Sequence, residues 1–492
     1  MSPAEIKFGT DGWRAVIGEG FNEKNVQELS RATARTFLES ASKSTDKPSR
    51  IYVGYDTREG ADRYARLAAE VMTAEGLEVI LSDRYIPTPT LCWTVSRDET
   101  ALGGVQLTAS HNPAGWLGFK VRMSDGGASP AEFTDAIEEN LKAQLADSPE
   151  QKAPTNPTTL DSQAALKDSV KIQPVCADLI TPYLDALRQF IDTEAISKAH
   201  LKVLVDPLYG AARSYLADTF ERLGVEVTRL HDEADPNFGG LHPEPIPPWT
   251  DAAAAQLRDT DAQAGFVLDG DADRLGALDE EGNFVSPHQI IALIAQHLIE
   301  NHAQSGRIIK TLSTSTIVDR IGRELGVEVT TTPVGFKWIY EEMLGGDVML
   351  GGEESGGIGI PGHVRERDGL LMSLLLTEMM AQTGLSLKQL VTGLEERVGK
   401  LYYQRNDLCL ELVHMEALRK ALPTLAPAQI AGTPVEEYVH SDGAKFILAD
   451  GGWLLLRASG TEPLVRIYAE ANSPQRVKEL LAAGNQLVQE AA

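Results

Sequence analysis

Short apolar runs alternate with longer amphipathic stretches along most of this chain, and one local pattern recurs three times. The sequence Gly-x-Glu-Val begins at Gly76, Gly224 and Gly326, each time after a segment with helical spacing of its apolar residues and before an apolar run. Glycine readily takes the left-handed backbone conformation that ends many helices. Each copy therefore predicts the end of a helix and the start of a strand.

Further apolar, β-rich runs flank each copy. The runs SRIYVGYD, HLKVLVDP and GRIIKTLS lie upstream and are followed by amphipathic stretches, whereas GGVQL, AGFVL and DVML lie downstream. Strands joined through helices in this order pair in parallel through right-handed crossovers. The pattern predicts three related strand-helix-strand units, with chance recurrence of a short motif as the alternative.

The three downstream runs open directly into loops of unusual composition, TASHNP, DGDADR and GGEESGG. In α/β proteins, ligands bind at the carboxyl ends of parallel strands. Three equivalent units that face one cleft are therefore expected to bring these loops into a single site.

Two changes of composition divide the chain further. A polar, proline-bearing stretch from about Asp147 to Asp168 lacks periodicity and predicts a linker. After about Gly399, the runs KFILA, WLLLR and LVRIYAEA and a final amphipathic segment predict a smaller α+β domain that closes over the cleft. The expected domains are 1–160, 171–283, 284–398 and 399–492.

Charge and cysteine content restrict the classes of partner. With 45 Lys and Arg against 71 Asp and Glu, the net charge is −26, which disfavours nucleic acid and anionic membranes as partners. The three cysteines form no CxxC pair, and the run LLMSLLLTEMMA meets charge before the roughly 20 apolar residues that a membrane span needs. The N-terminal residues also lack an apolar signal core. We expect a soluble cytoplasmic protein, in which any anionic small molecule is bound by a local cluster of basic residues.

The loop DGDADR places Asp269, Asp271 and Asp273 at alternate positions after an apolar strand. Converging carboxylates are hard ligands that suit Mg²⁺. An EF-hand is disfavoured because Arg274 occupies the position that requires glycine and the flanks resemble strands. A solvated acidic turn without a metal is the remaining alternative.

The loop TASHNP raises the question of whether Ser110 is a nucleophile. A metal-independent esterase would place its serine in a GxSxG elbow, and Ser110 lacks both glycines. We interpret Ser110 as a phosphate carrier beside the three aspartates, with His111 shaping the loop. Lys120, ten residues on, is a candidate cation near the same phosphate, although its spacing alone fits a surface lysine equally well.

Two further loops offer groups for a sugar phosphate. GGEESGG presents Glu353, Glu354 and Ser355 on a glycine-rich turn, which suits contacts with sugar hydroxyls. RASGTEPLVR combines guanidinium groups, hydroxyls and free backbone N–H groups, a set that suits a phosphate: Arg457, Ser459, Gly460, Thr461 and Arg466. Taken alone, each loop also fits an ordinary hairpin.

These four loops in this order, together with FGTDGWR at 8–14, resemble the α-D-phosphohexomutase superfamily of phosphoglucomutases and phosphomannomutases over essentially the whole chain. The resemblance implies an α/β fold, with three related α/β domains with mixed sheets plus a smaller C-terminal α+β domain around a central cleft. It also implies that phospho-Ser110 is the phosphate donor and that one Mg²⁺ is held by Ser110, Asp269, Asp271 and Asp273.

The implied reaction passes through a bisphosphate. The phosphoserine phosphorylates a hexose 1-phosphate, and the 1,6-bisphosphate turns over in the cleft and returns its other phosphate, leaving the hexose 6-phosphate. Arg14 and Lys120 match positions linked to acid/base work or charge stabilisation. The implied substrate contacts are Arg274, Glu353, Ser355, His363, Arg457, Ser459, Gly460, Thr461 and Arg466.

Three departures bear on the choice of sugar. Many bacterial relatives have histidine where Gly357 and Phe336 stand, and many have asparagine where Leu117 stands. The segments VGFKWI and GHVRERDG are more similar to glucose-specific phosphoglucomutases, in which Lys337 matches a candidate acid/base residue. We therefore expect glucose phosphate as substrate and glucose 1,6-bisphosphate as activator and intermediate, with a monomer or homodimer as the functional unit. A phosphomannomutase or phosphoglucosamine mutase is the alternative; a phosphatase or a non-catalytic sugar-phosphate sensor is less favoured.

Overall fold

A computed structural model describes residues 2–9, 11–41, 49–147, 173–459 and 463–492 of the chain. Most of the predicted linker from Asp147 to Asp168 lies outside the described residues, as do Gly460 and Thr461 of the RASGTEPLVR loop. The described strands form four sheets, of which the first three are mixed and the fourth is antiparallel.

The helices and strands follow one another in chain order. The first part contains β1 Trp13–Val16, α1 Glu23–Ala41, β2 Arg50–Tyr55, α2 Ala61–Ala74, β3 Glu78–Ser82, α3 Thr88–Arg97, β4 Ala101–Leu107, β5 Trp116–Met123 and α4 Ala131–Asp147. The second contains β6 Val175–Ala177, α5 Ile180–Phe190, α6 Thr193–Ala199, β7 Lys202–Asp206, α7 Tyr215–Arg222, β8 Glu226–Arg229, α8 Asp251–Arg258, β9 Ala264–Leu268, β10 Leu275–Asp279 and β11 Phe284–Val285. The third contains α9 Pro287–Glu300, β12 Arg307–Thr311, α10 Ile317–Leu325, β13 Val329–Thr332, α11 Phe336–Leu344, β14 Val348–Gly352, β15 Ile358–Gly359, α12 Gly369–Thr383 and α13 Leu387–Val398. The fourth contains β16 Tyr402–Cys409, α14 Leu412–Ala421, β17 Gln429–Ile430, β18 Thr433–Val439, β19 Ala444–Leu448, β20 Trp453–Ala458, β21 Leu464–Ala471 and α15 Pro474–Ala491.

The first three sheets share one strand order. The runs β5-β4-β2-β3, β10-β9-β7-β8 and β15-β14-β12-β13 correspond strand for strand. In each, the last three strands are parallel and the first pairs antiparallel with its neighbour. The three repeats seen in the sequence are thus three copies of one sheet topology, and the predicted fold class is confirmed.

The recurring glycines occupy equivalent positions in these copies. Gly76, Gly224 and Gly326 follow helices α2, α7 and α10 and precede strands β3, β8 and β13. Their φ angles are +104°, +81° and +71°, a backbone region that side chains with a Cβ rarely adopt. Glycine at these three points therefore allows the chain to leave each helix and enter the sheet directly.

One short strand crosses a predicted boundary. Strand β6 belongs to the segment 171–283, yet it pairs in parallel with β3 and extends the first sheet.

The second and third sheets share one continuous apolar core, which helix α12 enters with nearly all of its side chains buried. The first and fourth sheets have their own cores.

No single helix in the described parts of the chain is both long enough and apolar enough to cross a membrane. Helices α12 and α13 reach the length and hydropathy of a span only as a pair, across an 84° bend.

Candidate active site

The three loops predicted from the repeats follow equivalent strands and meet. TASHNP follows β4, DGDADR follows β9 and GGEESGG follows β14, the strands that correspond in the three sheets. The second and third loops are joined directly, because the backbone N–H of Leu275 donates to the carbonyl of Gly356 at 3.0 Å. The first loop is tied to the second through Ser110.

Ser110 lies in a sharp, buried turn. Its φ angle is +51°, its exposure is 1%, and its hydroxyl Oγ donates to Asp269 Oδ2 at 2.9 Å. The backbone N–H of Ser110 donates to Thr108 Oγ1 at 2.9 Å, which holds the turn in this uncommon conformation. The turn therefore presents the serine hydroxyl to the acidic loop.

Arg58 holds the backbone of the serine loop and was not singled out from the sequence. Its guanidinium group donates hydrogen bonds of 2.5 to 3.1 Å to four loop carbonyl oxygens, those of Ser110, Asn112, Pro113 and Trp116. Its Nε atom donates to Asp56 Oδ2 at 3.1 Å, and both side chains are fully buried. The available signal was the position of Arg58 just past strand β2, which pairs in parallel with β4, so that the loops after both strands lie at the same end of the sheet.

The three aspartates of DGDADR are completely buried side by side. One carboxylate oxygen from each lies within 4.8 Å of the others. Burial, together with the neighbouring carboxylates, raises the pKa of Asp269 well above its ordinary value, and burial also raises the pKa of Asp273. Burial opposes ionisation of Asp271 too, but the charge of Lys120 outweighs it and lowers the pKa of this carboxyl group. Three carboxylates in this setting require cationic compensation.

The donor set fits Mg²⁺. Among the described residues, Oδ1 of Asp271 and Oδ1 of Asp273 are buried without a hydrogen-bond partner, so ligand atoms remain available in the cluster. All candidate ligands are oxygen atoms, including Ser110 Oγ or a phosphate oxygen carried on it, and hard oxygen donors are those that Mg²⁺ prefers. Asp269, Asp271, Asp273 and Ser110 are thus the residues that would hold the ion.

Lys120 is a buried cation beside the aspartates. Its Nζ atom lies 2.8 Å from Asp271 Oδ2 and 2.9 Å from Asp11 Oδ2. Burial works against the charged form, but Asp11, Asp271 and Asp273 outweigh it and raise the pKa of Lys120. The structure therefore contradicts the surface-lysine alternative and keeps Lys120 protonated at neutral pH.

Two further cations, Arg367 and Arg122, join Lys120 in an ion-pair network around Asp11. Arg367 Nη2 lies 2.8 Å from Asp273 Oδ2 and 3.0 Å from Asp11 Oδ2, and Arg122 Nη1 lies 2.8 Å from Asp11 Oδ1. Sequence reasoning missed Asp11, Arg122 and Arg367 as site residues, although two of them lie in the segments FGTDGWR and GHVRERDG. The network joins the first and third parts of the chain across the aspartate cluster.

Arg14, Arg274 and His111 surround the same turn. Arg14 Nη1 donates to Asn112 Oδ1 at 2.6 Å, and the backbone N–H of Arg274 donates to Asp269 Oδ1 at 3.1 Å. His111 Nδ1 lies 3.4 Å from Ser110 Oγ. Burial, reinforced by Arg274 and Arg14, lowers the pKa of His111 well below its ordinary value, so its imidazole is neutral at physiological pH.

The two acidic groups of the third loop have different partners. Glu353 is buried, its Oε2 atom lies 3.9 Å from Arg367 Nη1, and burial raises its pKa to about 7. Glu354 Oε2 accepts from Thr311 Oγ1 at 3.2 Å. Ser355 Oγ is buried without a hydrogen-bond partner among the residues described, which leaves it available to a ligand hydroxyl.

The fourth loop connects β20 and β21, whose residues Arg457 and Arg466 are directly paired. Arg457 Nε donates to Asp442 Oδ2 at 2.8 Å, and Asp442 in turn accepts from the backbone N–H of Val334 at 2.9 Å. Ser459 lies at the end of β20, where its carbonyl accepts from Arg419. The described part of this loop thus has Arg457 and Arg466 at opposite positions of adjacent strands, and Asp442 links Arg457 to the segment that follows β13.

Lys337 and His363, which were inferred from the resemblance, both contact aromatic side chains. Lys337 is in the first turn of α11, with Nζ 4.5 Å from the Trp338 ring centre. His363 is 4% exposed and packs against Tyr183 and Phe190, with Nε2 3.2 Å from Asp368 Oδ2. The ring of His363 is thus packed among protein side chains, and its role as a substrate contact stays a prediction.

Comparison with known proteins agrees with this arrangement. Family models described as phosphoglucomutase/phosphomannomutase alpha/beta/alpha domains I, II and III and C-terminal domain match residues 5–147, 181–282, 286–398 and 413–484. A phosphoglucomutase/phosphomannomutase of Thermococcus kodakarensis is 29% identical over 98% of both chains. A phosphoglucosamine mutase of Frankia alni is 30% identical over 95% of this chain and 94% of its own.

A solved structure shows the same fold over nearly the whole length. The protein from Thermus thermophilus, whose assignment as a phosphomannomutase is provisional, is 34% identical, covers 99% of both chains and superposes with a TM-score of 0.82. The named relatives thus include enzymes for different hexose phosphates. The chain belongs to the phosphoglucomutase/phosphomannomutase family, the α-D-phosphohexomutases.

Proposed function

We propose that this phosphohexomutase interconverts glucose 1-phosphate and glucose 6-phosphate through phospho-Ser110 and a glucose 1,6-bisphosphate intermediate. The observation that supports this most strongly is the 2.9 Å hydrogen bond from Ser110 Oγ to Asp269, at the edge of a buried aspartate cluster. His111 lies 3.4 Å from this serine and its lowered pKa makes it a weak base, so the aspartate cluster and the ion it would hold, rather than a histidine, are proposed to support phosphoryl transfer at the Ser110 hydroxyl. Ser110 is well suited to carry a phosphate.

The first half-reaction transfers the phosphoryl group from the enzyme to the sugar. The free 6-hydroxyl oxygen of glucose 1-phosphate forms a bond to phosphorus while the bond to Ser110 Oγ breaks, and the bonding electrons go to Oγ. The proton lost by the sugar hydroxyl is balanced by the proton that Oγ gains. Mg²⁺, when bound by the aspartates, would withdraw charge from the transferring group.

Protein cations support the same transfer. Lys120, with its raised pKa and its contacts at 2.8 and 2.9 Å to Asp271 and Asp11, acts as a fixed positive charge rather than as a base. Arg14 donates to Asn112 and the backbone N–H of Arg274 donates to Asp269, and both side chains are proposed to contact the equatorial phosphoryl oxygens. Preorganised charges of this kind account for much of the rate enhancement in phosphoryl transfer.

The bisphosphate must then reverse its orientation in the cleft. Glu353 and Ser355 are proposed to hold sugar hydroxyls in both orientations, while Arg457, Ser459, Gly460, Thr461 and Arg466 hold the phosphate that is not reacting. In the second half-reaction the 1-phosphate returns to Ser110 Oγ and leaves glucose 6-phosphate. Lys337 is proposed to act on the same ligand from α11.

The choice of glucose rests on the residues around the third loop. Gly357 leaves no side chain where many relatives have histidine, and a Cβ there would approach Arg367 Cδ to 2.3 Å. Phe336 packs its ring under the Arg367 guanidinium, 5.3 Å from ring centre to Cζ. The pocket is thus built around Arg367 rather than around two histidines, which matches the glucose-type segments in the sequence.

The test compares sugars on one enzyme. Purified protein with Mg²⁺ and catalytic glucose 1,6-bisphosphate is expected to convert glucose 1-phosphate with a higher kcat/KM than mannose 1-phosphate or glucosamine 1-phosphate. A higher kcat/KM for either competitor would overturn the choice of glucose. Stoichiometric release of inorganic phosphate instead of a hexose 6-phosphate would overturn the mutase and indicate a phosphatase.

A further inference from the structure

A second cluster of potential metal ligands lies apart from the catalytic loops. His297 Nε2 and His302 Nε2 each lie 2.8 Å from Glu378 Oε2. His297 belongs to α9, His302 follows its end, and Glu378 belongs to α12. His297 lies in the last turn of α9, at the end of the helix away from Pro287.

The composition and burial of this cluster favour a cation. The three ligand atoms lie within 4.8 Å of one another, and the side chains of His297, His302 and Glu378 are 0%, 17% and 1% exposed. Two histidines and one glutamate are a recurrent ligand set for Zn²⁺, with water completing four-coordination. The partial exposure of His302 gives water and ions access to the cluster.

Without an ion, hydrogen bonds hold the three ligand atoms together. One oxygen of Glu378 accepts from both imidazoles, while its other oxygen accepts from the backbone N–H of Asp192 at 2.6 Å. Tetrahedral Zn²⁺ with bonds of about 2.0 to 2.1 Å places its ligand atoms about 3.3 Å apart. The two observed separations from Glu378 Oε2, 2.8 Å each, therefore need to widen by only about half an ångström.

We propose that His297, His302 and Glu378 form a Zn²⁺ site separate from the catalytic Mg²⁺ loop. The ion stabilises the junction of α9 and α12, and through the Glu378 contact with Asp192 it also stabilises the start of α6. None of the three ligands belongs to the four catalytic loops, so the ion is assigned a stabilising role rather than a part in phosphoryl transfer. The site and the mutase reaction are independent, so each proposal can fail without the other.

Zinc titration of the purified full-length chain tests this site. The Asp271→Asn variant, stripped with a chelator, serves as background, since it weakens Zn²⁺ binding at the catalytic loop. Competition with a chromogenic zinc chelator is expected to show one tight Zn²⁺ per chain. Adding His302→Gln is expected to weaken that binding at least tenfold, whereas His414→Gln, an exposed histidine on α14, leaves it unchanged.

Cobalt spectroscopy gives a second measurement that needs no further substitution. Co²⁺ bound to the Asp271→Asn protein is expected to show the intense visible bands of a four-coordinate site with nitrogen ligands. Stoichiometric Zn²⁺ binding with equal affinity in the His302→Gln and His414→Gln proteins would overturn the proposal. So would the weak spectrum of a six-coordinate, all-oxygen site, or the absence of stoichiometric binding in the background variant.

Discussion

Ser110 Oγ donates a 2.9 Å hydrogen bond to Asp269 Oδ2, across 159 residues of sequence. This contact joins the serine turn to the aspartate loop and places any phosphate carried on Ser110 directly against the candidate metal ligands. We therefore predict that Ser110→Ala folds but loses both phosphorylation and mutase activity, the latter by at least about a thousandfold. Intact mass and coupled turnover assays measure the two effects.

The matched control for this change is Ser124→Ala, because Ser124 is an exposed serine in the same part of the chain. It is expected to retain phosphorylation and activity. A Ser110→Ala protein that still exchanges phosphate with glucose 1,6-bisphosphate at the normal rate would show that the carrier is another residue.

We expect one substitution in the aspartate cluster to have opposite effects on thermal stability in the absence and in the presence of bound metal. Burial and neighbouring carboxylates raise the pKa of Asp269, so its charged form is unfavourable unless a cation is bound. Asp269→Asn keeps the shape while removing a charge. We expect it to raise the thermal stability of the metal-free protein, to abolish the further stabilisation by Mg²⁺ and to remove activity.

Melting temperatures of both proteins, in excess chelator and in excess Mg²⁺, measure these effects. Asp261→Asn is the control, since Asp261 is an exposed aspartate whose side chain is 76% accessible and lies outside the cluster. Equal stabilisation by Mg²⁺ in the Asp269→Asn and wild-type proteins would place the ion elsewhere.

The sequence was sufficient for those parts of the site that carry a local signature. Asp269 and its neighbours, Ser110 and the glycine-rich third loop each directly follow an apolar run, so their convergence could be inferred from strand order. Arg58 and Arg367 were missed because each acts through contacts 52 or more residues away, and arginine has no local pattern that indicates such a role. The packing of the His363 ring against Tyr183 and Phe190 was not predictable either, because both aromatic residues are distant from it in the sequence.

The repeated topology was predictable for a similar reason. Each glycine that ends a helix directly precedes an apolar strand. Because helices and strands follow one another in the same order in all three repeats, the three sheets have the same strand order. The pairing of β6 with the first sheet was not predictable, since a three-residue strand has too few positions to show periodicity.

The third prediction concerns Arg58, which holds the serine turn in position. Arg58→Met removes hydrogen bonds to four carbonyl oxygens of the serine turn but touches no reacting atom. We expect kcat to fall by about a hundredfold with a smaller change in KM, because misplacing a reacting group by about an ångström costs this much. Arg58→Lys is expected to restore little, since one ammonium group has only three donors and lacks the planar fork.

Steady-state kinetics with glucose 1-phosphate measure the split between kcat and KM. Arg63→Met is the control, because Arg63 is a 62% exposed arginine in the same part of the chain. If KM rises while kcat is unchanged, Arg58 contributes to ground-state binding and does not position Ser110.

Lys445 lies at the contact between the third and fourth sheets, and we expect its titration to make the stability of the folded protein depend on pH. Its Nζ donates to the carbonyl of Leu312 at 2.7 Å and lies 3.8 Å from the Trp453 ring centre. Burial, with the nearby charge of Lys310, lowers its pKa from 10.5 to about 7. Between these values the unfolded chain holds a proton that the folded chain lacks, so stability rises with pH, by up to about 1.4 kcal/mol per pH unit.

Lys445→Met removes this titration, so the comparison of the two proteins isolates it. The melting temperature of the wild type relative to Lys445→Met is expected to rise from about pH 7 to about pH 9 and to be flat below about pH 7, where both states of Lys445 are protonated. Lys478→Met, which removes an exposed lysine from α15, is expected to show no such trend. A difference that falls as pH rises would mean that the contact with Trp453 favours the ammonium form more than burial opposes it.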